Sequence, residues 1–150
     1  MATYFEDYHL GDKIVTAGRT VTEADISIAM GIGRYIDPFM IDEEYAKTTV
    51  FGGRIAPGRF TIFMLGGLVA LSGMFDMETA IANMGFNNVR FKTPLRAGDT
   101  IKVEMEVTGK KETSKADRGL VIHTETCINQ RGEVVAEMEV VHLIKRKPVD

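Results

Sequence analysis

Thr22 to Ala46 reads TEADISIAMGIGRYIDPFMIDEEYA, a stretch that encodes a capped helix, a tight proline-bearing loop and a second helix start. Thr22 followed three residues later by Asp25 is a capping pattern: the hydroxyl accepts from a first-turn amide while the carboxylate reaches back to the Thr22 N–H. The helix so opened is predicted to run to about Met30. It should stop at Gly31-Ile32-Gly33, where glycine admits the backbone angles of a helix exit. Asp37-Pro38 then keeps the chain extended, because the proline ring disfavours helical backbone in the residue before it. Asp42 is placed to cap a further short helix through Glu43, Glu44 and Tyr45.

On the N-terminal side of this stretch, Lys13 to Arg19 reads as an edge strand. On the other side, Thr49 to Gly58 (TVFGGRIAPG) is a glycine-rich approach to a helix entrance at Pro57-Gly58. Phe60 to Phe75 contains no charged residue, and its apolar side chains cover nearly the whole helical circumference, so this helix has to be enclosed on most sides. The second half of the chain supplies the enclosure. Asn88–Lys92, Thr100–Val107, Leu120–Ile128 and Val134–Ile144 are strand-like and bounded by turn residues. Ile101, Val103, Met105 and Val107 alternate with Lys102, Glu104 and Glu106, which gives one dry face and one wet one. Asn129-Gln130-Arg131-Gly132 turns the last two strands into a hairpin. Lys110 to Arg118 reads as a solvated hairpin tip. Lys145-Arg146-Lys147 reads as a frayed C-terminal edge.

The 150 residues suit one domain, 1–150, and a 45% hydrophobic content is enough for a sizeable core. Eighteen basic against 21 acidic side chains leave a formal charge of −3, which points away from nucleic acid. Cys127 is the only cysteine, so an intramolecular disulfide is excluded and no metal-ligand spacing exists. It reads as a small strand residue in a reducing compartment. The start, MATYFEDYHLGD, lacks a basic region followed by an apolar run, and the uncharged helix of 16 residues with three glycines is too short for a comfortable membrane span. A cytoplasmic protein with no membrane partner is expected. His123 and His142 fall on consecutive strands and stand as near neighbours across the terminal hairpin. Most of the methionines read as adaptable core and lining residues.

The landmarks FEDYHLGD, TEADI, DPFMIDEEYA, FGGRIAPG, NVRFKTPLRAGDTI and NQRGEVV, in this order, resemble the MaoC-like hydratase/dehydratase family, which includes (R)-specific enoyl-CoA hydratases. The resemblance extends from about Tyr4 to Arg146. It implies an α+β hot-dog fold, a curved antiparallel sheet wrapped around a long central helix. It further implies an acyl-CoA or acyl-carrier thioester as substrate; the sequence carries no metal, nicotinamide or flavin motif, so no separate cofactor is expected. It also implies at least a dimer, in which two sheets become continuous and the acyl tunnel lies at the subunit interface.

In that family a loop of the form D-x-N-P-x-H-x-D supplies an Asp and a His that activate water. A backbone amide at the start of the buried helix polarises the thioester carbonyl. Counting from Thr22 and back from Asp42, the family's Asp falls on Tyr35 and its His on Met40, while Gly58 matches the carbonyl-binding amide. Pro57 stands where relatives often carry His, and it has no N–H to donate. A thioether has no proton to transfer, and a phenol with a reference pKa of about 10 is a poor base near neutrality. Each acid or base contributes roughly 10²- to 10⁴-fold, so the ordinary hydration route is disfavoured. Asp37 and Asp42, five residues apart, are the local substitutes, although Asp42 already has a capping role. Tyr35, Phe39 and Met40 together make the pocket apolar, to suit a bulky acyl group or to plug a disused site. Arg54, Arg59, Arg90 and Lys92 are the cations from which phosphate contacts to a pantetheine-bearing ligand can be drawn.

Three functions are compatible with this reading. The first is an altered-site hydratase/dehydratase acting on an enoyl- or 3-hydroxyacyl-CoA. The second is a non-catalytic subunit that completes the tunnel of an intact MaoC-like partner. The third is a thioesterase in which Asp37 or Asp42 activates water.

Overall fold

The computed structural model describes residues 2–148. A 3₁₀ turn at Phe5–Asp7 leads into two short strands, β1 (Lys13–Val15) and β2 (Arg19–Thr20), and then into helix α1 (Glu23–Gly33). Helices α2 (Pro38–Ile41), α3 (Glu43–Lys47) and α4 (Gly58–Ala70) follow. Four long strands complete the chain: β3 (Ala80–Phe91), β4 (Thr100–Glu112), β5 (Arg118–Asn129) and β6 (Val134–Lys145). They form one antiparallel sheet in the order β1-β4-β5-β6-β3, with β2 also pairing β4.

Helix α4 lies on one face of this sheet. Phe60, Met64, Leu65, Leu68 and Val69 share a buried cluster with Ile101, Val103 and Met105 of β4, Cys127 of β5, and Met138 and Val140 of β6. Their spacing of three and four residues is one helical stripe, and each large side chain buried there contributes roughly 1.5–3 kcal/mol. On β5 the strand alternation gives Val121, His123, Glu125 and Cys127 the buried face. Three of those four, His123, Glu125 and Cys127, are ionisable.

Several expectations need correction. Lys13 to Arg19 is not one strand: Thr16 turns inward, its N–H donating to the Val103 carbonyl (2.9 Å) and its hydroxyl accepting from the Val103 N–H (3.0 Å), which interrupts the ladder. Helix α1 passes Met30 and ends three residues later, with Arg34 rather than a glycine in the left-handed conformation at φ 52°. The central helix stops at Ala70, short of Phe75, and it is not enclosed all round. Phe63 is 76% exposed and Leu71 89%, on a side that also exposes Gly66 and Gly67. Strand β3 begins at Ala80, eight residues before the expected Asn88, and β-bulges interrupt its pairing with β6. The basic C-terminal stretch is tied down: Arg146 Nε donates to Glu6 Oε1 (2.7 Å), and the Lys147 N–H donates to Glu6 Oε2 (3.0 Å).

Candidate functional site

The segment after α1 carries Tyr35 and Met40, the two positions expected from the motif register to match the family's Asp and His. Thr22 and Asp25 form the expected reciprocal cap at the start of α1. At its end the left-handed Arg34 turns the chain so that the Tyr35 ring lies on Gly33, where a Cβ would sit 2.7 Å from the ring edge. Tyr35 is half-buried there, while Asp37 is exposed and makes no side-chain cap to α2. Met40 is 9% exposed and belongs to the core cluster with Ile26, Phe60 and Leu95. Phe39 is half-buried, with its ring 5.7 Å from that of Phe51. Asp42 caps α3 as expected, its Oδ1 accepting from the Tyr45 N–H at 3.0 Å.

Pro57 is the N-cap of α4, so Gly58 opens the helix with a first-turn amide that no preceding turn can satisfy. The helix dipole adds positive potential at the same point. A cavity of about 310 Å³ adjoins it, lined by Phe51, Ile55, Gly58, Thr61, Phe91 and Lys92 among others. The Phe91 ring packs directly on Gly58: a Cβ there would come within 2.9 Å of it. No carboxylate or imidazole lines this cavity.

Two further cavities lie beside it. One of about 390 Å³ is lined by Met40, Glu23, Glu43, Arg54 and Arg96. The other, about 620 Å³, is lined by Tyr35, Arg34, Ile36, Ile41 and Arg54. Tyr35 and Gly58 therefore open onto different cavities.

The candidate cations differ in how far they are already engaged. Arg54 is paired with Glu23 at 2.9 Å and with Glu43 at 3.3 Å, and hydrogen bonding chiefly from the Arg54 amide holds the Glu43 carboxyl below its usual range. Lys92, in the wall of the Gly58 cavity, pairs with Glu137 at 2.9 Å. Arg90 is exposed and donates to the Val89 carbonyl (2.9 Å). Arg59 is exposed, without an ion pair among the described residues. Sequence reasoning missed Arg96, whose guanidinium donates to the carbonyls of Phe51 and Arg54 and so fastens the glycine-rich approach to α4. Nothing in its type or spacing marked it out.

A second polar group is buried under the sheet. His123 is fully buried and its Nε2 lies 2.9 Å from Glu125 Oε1, with Glu125 only 3% exposed. The His123 and His142 rings stack at 5.2 Å, and Phe75 lies 4.4 Å from His142. Cys127 is sealed beside them, and burial above all pushes its thiol up to about 12, so it is inert.

The family model for the MaoC like domain matches residues 7–127. The chain belongs to the MaoC-like dehydratase family. Protein MaoC of Klebsiella aerogenes is 39% identical over 116 residues, 77% of this chain; the match spans a third (33%) of that longer protein. The (R)-specific enoyl-CoA hydratase of Rhodospirillum rubrum is 33% identical over 140 residues, covering 91% of this chain and 88% of that one. Among solved structures, a monoamine oxidase regulatory protein from Archaeoglobus superposes with a TM-score of 0.90 at 36% identity, covering 98% and 97% of the two chains. The α+β hot-dog fold expected from the sequence is thus the fold of this MaoC-like chain. Its curated relatives include hydratases and dehydratases.

Proposed function

We propose that this MaoC-like chain binds an enoyl- or 3-hydroxyacyl thioester with its carbonyl at the Gly58 amide, and does not itself carry out ordinary hydration. One observation carries the reading: among the described residues no carboxylate or imidazole stands in the wall of the Gly58 cavity, and Tyr35 opens onto a different one. A carbonyl at a first-turn amide is polarised, yet without a group to take the water proton and another to protonate the α-carbon, polarisation alone leaves most of the barrier standing. Asp37 and Asp42 do not line this cavity either, which disfavours thioester hydrolysis.

Such a subunit acts by completing a tunnel with another hot-dog chain. Strand β3 suits that role. Among the described residues it pairs only with β6, which leaves its other edge open, and along it Ile81, Met84, Phe86 and Phe91 are 39–57% exposed. A long apolar edge strand in solution invites pairing with another chain. We place the subunit contact there, with either a second copy or an intact MaoC-like partner. Lys92 and Arg59, at the mouth of the Gly58 cavity and on the first turn of α4, are the cations best placed for the phosphates of a coenzyme A arm.

The likeness to the Rhodospirillum rubrum hydratase over most of its length favours a second reading, hydration through an altered site that uses Tyr35 or Asp37. Purified protein mixed with trans-2-enoyl-CoA thioesters separates the two. The proposal expects binding without loss of the enoyl absorbance; turnover that Tyr35→Phe or Asp37→Asn abolishes would establish the altered-site enzyme instead.

A further inference from the structure

The seam between α4 and β3 holds two cavities end to end. The Gly58 cavity uses Gly58 and Thr61 of the helix and Phe91 of the strand. A second, of about 240 Å³, uses Ile62, Gly66 and Val69 of the same helix and Asn83 and Phe86 of the same strand, and Glu125 and His142 form part of its wall. Gly66 lies eight residues beyond Gly58, roughly 12 Å along the helix axis at 1.5 Å per residue. That is too far for Glu125 or His142 to serve as acid or base to a thioester held at Gly58. It matches the far end of a medium-length acyl chain.

The polar atoms in this otherwise apolar cavity are under-used. Glu125 spends Oε1 on His123, while its other oxygen has no partner among the described residues and is not sealed. His142 Nδ1 is sealed without a partner, whereas its Nε2 is neither bonded nor sealed. Burial, and then the neighbouring His123 ring, pushes the His142 imidazole down to about 4, so at neutral pH it is uncharged and offers one donor and one acceptor. Water reaches both open atoms, so a ligand that fills the cavity must replace those hydrogen bonds or lose them.

We infer that the cavity between α4, Phe75 and β3 binds the tail of the acyl group, and that Glu125 and His142 select a tail ending in a hydroxyl. A hydroxyl donates its one proton to the free Glu125 oxygen and accepts from the His142 Nε2–H. A terminal methyl leaves both unpaired, and a terminal carboxylate is repelled by Glu125. A site built to hydrogen-bond a hydroxyl rejects the analogue that lacks it far more strongly than an apolar pocket rejects an extra methylene.

This inference rests on the thioester reading of Gly58, and one titration series distinguishes their failures. Calorimetry would compare ω-hydroxydecanoyl-CoA, decanoyl-CoA and the ω-carboxylate analogue on the full-length protein. The hydroxylated ligand is expected to bind at least about 10-fold more tightly than either of the others. In His142→Phe and in the more conservative Glu125→Gln, which keeps a side-chain partner for His123, the ratio to decanoyl-CoA should fall towards one. Equal affinities for all three ligands, or a preference that survives in both variants, overturns the tail site while leaving the Gly58 reading intact. Absence of binding by every ligand overturns both.

Discussion

At position 40 a thioether is buried in the core, and at position 58 a glycine opens the central helix with an amide that no preceding turn satisfies. Phe91, not the amide, is what calls for glycine there: in Gly58→Ala the N–H is kept but the new methyl meets the ring at 2.9 Å, so ring or helix must shift. Acyl-CoA affinity should drop about 10-fold, read by calorimetry, with little change in the melting temperature. His142 predicts a pH effect. Its ordinary value of 6.5 is lowered to about 4 in the fold, so below 6.5 the unfolded chain takes the proton more readily. Stability from this group is therefore complete above about pH 6.5 and declines as pH falls, the loss being complete near pH 4 at a cost on the order of 3 kcal/mol. Urea midpoints between about pH 7 and pH 4.5 should fall more steeply in the native protein than in His142→Phe. The His123–His142 pairing was legible because both residues sit on strands joined by an evident hairpin. Glu125 was not, since an inward-facing carboxylate looks ordinary until the strand register is known.

Among the elements, those with a cap or an alternation were readable and those set by tertiary contact were not. The caps at Thr22 and Asp42 appear where their side chains dictate. Asp42→Ala should cost about 1 kcal/mol in chemical denaturation, the usual size for a lost helix cap. Strand β3 was read short because Ala80 to Asn87 is poor in β-branched residues and contains Gly85 at φ 148°. Its pairing to β6 rather than its own propensity makes it a strand. The same segment exposes Ile81 and Met84, and the Ile81→Lys/Met84→Lys double variant should shift the protein from dimer to monomer in analytical ultracentrifugation. An unchanged sedimentation coefficient would move the subunit contact away from β3.

For the whole molecule, the order of motifs along the chain revealed the fold, because the helix-in-sheet arrangement uses nearly every landmark. The distribution of cavities was not readable, because it depends on which way single side chains turn: Met40 inward, Tyr35 onto Gly33, Glu125 into the seam. On the proposed reading, this hot-dog subunit presents an amide to a thioester carbonyl but no acid–base pair to the carbons beside it. The most direct test is enoyl absorbance on trans-2-enoyl-CoA with the native protein, beside its calorimetric affinity for decanoyl-CoA. Binding of the thioester with hydration that stays at background is the predicted result. Robust hydration by the native protein, lost on Tyr35→Phe, would contradict it.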